Sequence, residues 1–181
     1  CGNDAMAMGA HRALVAAGPE LQLRVVATGQ ILDKLERLDG RLAALALSAD
    51  GTRAAIAWAP AVRQRTATIE LWMPTSRKPA RRLFRSKGMP IALAFSQDAG
   101  TLLIASSDGA VRLSDAKSGA LLFEASLAGN AERPTAVAFL PEGRGFLVGT
   151  SLGAILRFAT GAESAPAPAP MPGIREGTDG D

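Results

Sequence analysis

One histidine stands in the sequence, His11, and five acidic residues recur at matching places along it: Asp50, Asp98, Asp108, Asp115 and Glu142. A histidine set between a serine and an aspartate is the constellation for acyl transfer, and any such site here would have to be built on His11. That residue falls in a turn between two short apolar runs, where a surface histidine needs no chemistry to explain it. Repetition argues the same way for the acids. A catalytic carboxylate is needed once, whereas an Asp that accepts hydrogen bonds from its own turn is needed in every copy of that turn. Cys1 is the only cysteine, which leaves no intramolecular disulfide and no zinc site of Cys ligands. The sequence contains no phosphate-binding glycine loop with its lysine and no metal-ligand spacing. The expectation is a non-catalytic chain without cofactor or metal.

Cations supply a second candidate. Arg77, Lys78, Arg81, Arg82, Arg85 and Lys87 fall within eleven residues, with Arg63 and Arg65 in the loop before them. Clustered Lys and Arg neutralise phosphates or acidic protein surfaces, so this stretch is a candidate partner-binding site. A plainer reading is a solvated outer strand, where positive charge discourages edge-to-edge pairing. Stacking of nucleic-acid bases would need aromatic residues among the cations, and only Phe84 and Trp72 lie near. Nucleic acid is therefore not the expected partner.

The elements that carry these residues recur. Residues 90–119 are the clearest copy of a unit of short apolar runs separated by Gly, Asp and Ser turns. Its first run ends in an acidic residue and glycine, in Leu45 to Gly51, Leu93 to Gly100 and Val137 to Gly143, with a poorer match from Met6 to Ala10. The intervals between copies are 39 (45 − 6), 48 (93 − 45) and 44 (137 − 93) residues. A second run follows each turn at 12–16, 53–58, 102–106 and 145–149. A third, alternating as a half-buried strand does, includes Leu21-Gln22-Leu23, Ile69-Glu70-Leu71 and Val111-Arg112-Leu113, with Ile155-Leu156-Arg157 less regular. A fourth run lies at 31–38, 80–85 and 120–126, and the last copy has none. Four short strands per roughly 40 to 45 residues is the period of a propeller blade. The expected fold is an all-β propeller with blades at about 4–39, 40–87, 88–129 and 130–161. Turn positions repeated from blade to blade are Asp50 and Gly51, Asp98 and Gly100, Asp108 and Gly109, Asp115 and Gly119, and Glu142 and Gly143.

These residues resemble the WD-repeat family of β-propellers. Val111-Arg112-Leu113, followed by Ser114-Asp115 and then Gly119, is similar to that family's third strand and turn. The signature Trp-Asp pair is degenerate: Ser114-Asp115 keeps the acid and Leu71-Trp72-Met73 the tryptophan, while Arg24-Val25 keeps neither and Phe158-Ala159 keeps only an aromatic. The opening Gly-His pair is missing, so the Asp, His, Ser/Thr and Trp hydrogen-bond network of the family is not expected. Lactonase-like and quinoprotein-like propellers are neighbouring alternatives. The resemblance implies a protein-interaction scaffold, with partners at the turns near Asp50-Gly51, Asp98 to Gly100 and Glu142-Gly143, or near Ser107 to Ala110 at the other end. Two alternatives are a lactonase- or hydrolase-like propeller with its active site in an absent N-terminal half, and capture of an anionic partner by the strand at 77–87.

Strand phase adds a further expectation. A last blade of three strands is closed in this family by a strand from the N-terminus, and here only Cys1, Gly2 and Asn3 precede the first copy. The chain reads as the C-terminal part of a seven- or eight-bladed ring. Its open faces would be covered by the absent half of the same propeller, by a second copy, or by closure as a four-bladed ring. Composition fits a β domain, with 48% apolar residues, a net charge of +3 and no Tyr, and Ala fills many strand positions where Val or Ile has the higher propensity. No apolar run approaches the roughly 18 to 20 residues of a membrane-spanning helix. Residues 162–181, with an Ala/Pro run at 165–170, lack the apolar content of a core and read as a disordered tail. The compartment expected is cytoplasmic. Cys1-Gly2-Asn3-Asp4 also resembles the start of a mature bacterial lipoprotein, which would place the chain on a membrane through a lipid anchor in the periplasm.

Overall fold

The computed structural model describes residues 6–9, 12–17, 20–25, 27–36, 41–59, 66–74, 76, 79–127, 132–141 and 144–159. The sequence readings at Cys1, His11, Arg63, Arg65, Arg77, Lys78, Glu142, Gly143 and the tail lie outside these residues. Among the described residues the regular structure is strand, with no α-helix, and no helix is long and apolar enough to cross a membrane. The strands form four antiparallel sheets, each paired in chain order. The first sheet holds β1 (Met6–Gly9), β2 (Arg12–Ala17), β3 (Glu20–Val25) and β4 (Ile31–Glu36). The second holds β5 (Leu42–Leu47), β6 (Ala54–Trp58), β7 (Ala67–Trp72) and β8 (Arg81–Ser86). The third holds β9 (Pro90–Phe95), β10 (Thr101–Ser106), β11 (Ala110–Asp115) and β12 (Leu121–Ser126), and the fourth β13 (Pro134–Phe139), β14 (Phe146–Thr150) and β15 (Ile155–Phe158).

Each sheet lies face to face with the next, because side chains alternate across a strand and both faces of the inner sheets are apolar. In β6, Ala54, Ile56 and Trp58 enter the layer against Leu14, Leu21 and Leu23 of the first sheet. The intervening Ala55 and Ala57 enter the layer against Leu93, Leu102 and Ile104 of the third. In β10 the same split sends Leu103 to the third layer, with Phe146, Val148, Leu156 and Phe158. A strand covered on both faces reads as a continuous apolar run, which is why β6 and β10, the second strands of the two inner sheets, show no alternation. Two of the third strands, β7 and β11, are more buried than their reading as half-buried, whereas β15 alternates exposed and buried residues. In β7, Ala67, Ile69, Leu71 and Trp72 are all buried, while Glu70 between them and Arg112 in β11 keep partial exposure and are paired with a neighbouring side chain. Trp58 Nε1 donates to Glu70 Oε2 at 2.9 Å, and Arg112 Nη2 donates to Glu124 Oε1 at 2.8 Å.

Between sheets the close approaches run through the first strands, β1 to β5, β5 to β9 and β9 to β13, with β10 also meeting β13. The outer strands of neighbouring sheets do not approach in this way, so the four sheets converge on their first strands. Among the described residues β13 makes no comparable approach to β1. Two small residues on each first strand permit the approach. Ala44 and Ala46, then Ala92 and Ala94, then Ala136 and Ala138 hold the same places in the ladders of the second, third and fourth sheets. A one-residue shift in register also recurs on these strands, leaving Ala43, Ile91 and Thr135 as the extra residues. Such bulges increase local twist. Their spacings, 48 (91 − 43) and 44 (135 − 91), equal those of the sequence copies.

The free edges are treated unequally. An exposed edge strand invites pairing unless it carries charge or a bulge. Strand β4 carries Asp33 and Lys34 and β8 carries Arg81, Arg82 and Arg85, while β12 leaves Leu121 and Leu122 55% and 59% exposed. A register shift in each of these strands leaves one extra leucine, Leu32, Leu83 or Leu122.

Candidate interaction surface

The turns that join first to second strands share one geometry. Ser48 N donates to Arg53 O, Ser96 N to Thr101 O and Leu140 N to Gly145 O, at 2.8, 2.9 and 2.8 Å. In the second and third sheets the serine hydroxyl and an aspartate lock the turn. Ser48 Oγ donates to Asp50 Oδ1 at 2.6 Å and accepts from Arg53 N at 2.9 Å. Ser96 Oγ donates to Asp98 Oδ1 at 2.5 Å and accepts from Thr101 N at 2.9 Å. Asp50 also accepts from Thr52 N and Thr52 Oγ1, and Asp98 from Gly100 N. In the fourth sheet Leu140 takes the place of the serine and no such network exists there among the described residues. At the third-to-fourth turn of the third sheet, Asp115 accepts from Lys117 N, Ser118 N and Ser118 Oγ.

Hydrogen bonds to a carboxylate favour its charged form. The Ser48 hydroxyl, with the Thr52 amide and hydroxyl, holds Asp50 down at about 2. Asp98 is lowered first by the Ser96 hydroxyl and then by the Gly100 amide, and Asp115 by the hydroxyl and amide of Ser118. A depressed folded-state value means that the unfolded chain takes up protons first, at about pH 4. The stabilisation is therefore complete above that pH and is lost as the pH falls from about 4 towards 2. Asp50→Asn should lower the melting temperature at pH 7, and the deficit relative to the parent chain should shrink on titration to about pH 2.5. A deficit that is unchanged with pH would assign the effect to shape and not to charge.

The same end of the sheets carries a contact that sequence reading missed. Arg12 Nη1 donates to Gly51 O at 3.3 Å, and Arg53 Nη1 donates to Ala99 O at 2.8 Å. Each arginine heads the second strand of one sheet and reaches the left-handed residue in the turn of the next: Gly51 has φ 68° and Ala99 has φ 56°. The pair ties successive sheets together outside the apolar layers. The only signal in the sequence is an arginine at the same register position in consecutive units; the third unit has Thr101 there.

At the opposite end lie Asp108, Gly109 and the turn at Gly88. A side chain at Gly88 would collide with the Asp108 carboxylate. Asp108 Oδ1 accepts from Ala110 N at 3.2 Å, and its other oxygen lies 3.8 Å from Arg112 Nη2. Ser106 Oγ, Ser86 Oγ and Arg112 Nη1 are buried without a hydrogen-bond partner in this region. Ser107 and Ser151 repeat one contact, exchanging bonds with the backbone of Met89 and Arg133 respectively. Exposed apolar side chains gather at this end of the third and fourth sheets: Met89 (38%), Ile91 (39%) and Leu152 (69%). Lys87 and Arg133, also exposed, flank them.

Of the basic candidates, Arg81, Arg82, Arg85 and Lys87 are exposed on or just after β8. Arg81 is held by the carbonyl of Lys117 in the next sheet. Arg82, Arg85 and Lys87 have no hydrogen-bond or ion-pair partner among the described residues. The two nearby aromatics do not join them at the surface, since Trp72 is buried in the first layer and Phe84 packs into the second. The carboxylates Asp50, Asp98, Asp108 and Asp115 belong to separate turns and are not brought together. No group of three or more His, Cys, Asp or Glu side chains with metal-binding geometry occurs among the described residues. Compared with known proteins, the sequence matches no family model and no curated protein.

Proposed function

We propose that the sheets are blades of a WD-repeat-type β-propeller and that the chain acts as a non-catalytic scaffold for protein partners. The convergence of sequentially paired antiparallel sheets on their first strands supports the blade reading. The binding face in this reading is the end that holds Ser107 to Ala110. Met89, Ile91 and Leu152 are exposed there beside Lys87 and Arg133, and apolar side chains with Met and Arg are what interface centres favour. The opposite end presents carboxylates already committed to their own turns. Capture of partners by the immobilised chain tests the proposal. The double substitution Met89→Glu with Leu152→Glu should leave the melting temperature near that of the parent and reduce capture about tenfold or more. Undiminished capture would reject this face, and turnover of ester or lactone substrates by the parent chain would reject the scaffold.

The unpaired cations of β8 favour a second reading, an anionic partner held along that strand. Arg82→Glu with Arg85→Glu should then lower the salt concentration at which the chain leaves a heparin column, because fewer phosphate- or sulfate-like contacts release fewer counterions. An unchanged elution position removes this reading and leaves the cations as guards of the strand edge.

A further inference from the structure

Three of the sheets carry a fourth strand outside their third, whereas β15 of the fourth sheet pairs only with β14 among the described residues. Thr150 N donates to Ala154 O where β14 turns into β15. Backbone groups point alternately to the two sides of a strand, so Leu156 also turns to β14, and the amides of Ile155 and Arg157 turn to the free side. The third sheet shows what occupies that side when a strand is there. Val111 and Ile155 hold the same ladder place, 44 residues apart (155 − 111), so β12 (Leu121–Ser126) corresponds to residues 165–170. That stretch, outside the described residues, is the run Ala165-Pro166-Ala167-Pro168-Ala169-Pro170.

The phase of the prolines matches the ladder. The pairing of β11 with β12 is bracketed by Leu127 N donating to Gly109 O and by Asp115 N donating to Ala120 O. Phe123 and Ala125 therefore turn their backbone groups to β11, Glu124 and Ser126 turn theirs away, and Leu122 is the extra residue of the bulge. The same interval of 44 residues puts Ala167 and Ala169 at the bonding places, Pro168 and Pro170 at the places that face away, and Pro166 at the bulge. A sheet tolerates proline on an outer edge, with the missing N–H turned from the ladder, or at a bulge. The opposite phase would put proline at the bonding places. Each alanine of the run also precedes a proline, which holds it in the extended region.

A second observation marks the same location. The turn before β12 lies on β8, where a Cβ at Gly119 would fall 2.9 Å from the carbonyl oxygen of Leu83, and Leu83 is half-buried. Leu122, the bulge residue in the same place one sheet later, is 59% exposed. A strand beside β15 would bring its own turn onto this leucine. We propose that residues 165–170 pair antiparallel with β15 as an outer strand, with Ala169 opposite Ile155 and Ala167 opposite Arg157. The prolines then close the edge of the fourth sheet to any further strand. This pairing does not depend on the turn surface described for protein partners.

Amide hydrogen exchange of the full chain, followed residue by residue by NMR, tests the pairing. The amides of Ile155 and Arg157 should exchange about tenfold or more slowly than solvated backbone, as amides bonded in a ladder do. A variant with the run in the opposite phase, carrying Ala167→Pro, Pro168→Ala, Ala169→Pro and Pro170→Ala, keeps the composition and should lose that protection. The residues flanking both amides are untouched, so their intrinsic exchange rates do not change. Pro168→Ala with Pro170→Ala keeps both bonding alanines and should retain the protection. Leu156, bonded to β14, should stay protected in all three chains, which verifies that β15 itself is intact. Free exchange at Ile155 and Arg157 in the parent chain would overturn the proposal, as would protection that survives the change of phase. Protection that grows with protein concentration would overturn it in favour of an edge shared with a second copy.

Discussion

Phe146→Ala is expected to destabilise the chain by about 3 to 5 kcal/mol, the range for deleting a buried aromatic side chain. Phe146 is 1% exposed at the centre of the layer between the third and fourth sheets. Its ring stacks on Phe158 with centroids 4.8 Å apart, and meets Phe123 and Phe139 edge-on at 6.0 and 6.5 Å. Four of the six phenylalanines of the chain therefore share this one cluster. The aromatic side chains of the other two layers, Trp58 and Trp72 in the first and Phe84 and Phe95 in the second, do not reach this cluster. The loss is comparable with the total stability of a small domain, about 5 to 15 kcal/mol. Hydrogen exchange should show β13, β14 and β15 losing protection before β5, β6 and β7. A cost below about 1 kcal/mol in chemical denaturation would mean that this layer is not packed as described.

Gly145→Ala carries the second large effect. Gly145 has φ 140°, a region that side chains rarely enter, and a Cβ built there would collide with the carbonyl oxygen of Phe158. That oxygen is backbone at the end of β15, so relief requires moving the strand and the turn bond from Leu140 N to Gly145 O. The combined strain and displacement should cost on the order of 3 kcal/mol. Gly153→Ala is the informative control. It also has a positive φ, 80°, but nothing lies within 4 Å of its would-be Cβ, which leaves backbone strain of about 1 kcal/mol. Equal midpoints for the two variants in urea would show that the clash at Phe158 is absorbed without cost.

Much of the strand order was legible because turn chemistry punctuates the sequence at fixed intervals. Asp50 and Asp98 with their glycines mark the first-to-second turns, and the structure gives each acid the local hydrogen bonds that such repetition implies. Strand ends moved by only one to three residues: the run read at 102–106 is Thr101–Ser106, and that at 80–85 is Arg81–Ser86. Three features were hidden for identifiable reasons. The burial of both faces of β7 could not be read from Ile69-Glu70-Leu71, because Glu70 looks solvent-facing until Trp58 Nε1 is placed beside it. The repeated bulges at Ala43, Ile91 and Thr135 leave no residue type in common, since what they share is a register. The arginine ties from Arg12 to Gly51 and from Arg53 to Ala99 span two sheets and depend on a turn geometry that only coordinates supply. Of the candidate surfaces, the charge of β8 was visible in composition, while the exposure of Met89 and Leu152 depends on how the turns project.

The sequential pairing within each sheet also bears on how the chain can be made. Among the described residues no strand waits for a partner from a distant part of the sequence, since β1 to β4 finish one sheet before β5 begins the next. Translation adds about 5 to 20 residues per second, and a hairpin closes in about 1 to 10 µs. Each sheet can therefore be complete on the ribosome before the strands of its successor have emerged, and it then serves as the template on which that successor condenses. Growth of this kind is vectorial. At each stage the apolar forward face of the sheet just completed is the surface on which the next sheet condenses, and the first strand of that sheet is the segment that arrives to cover it.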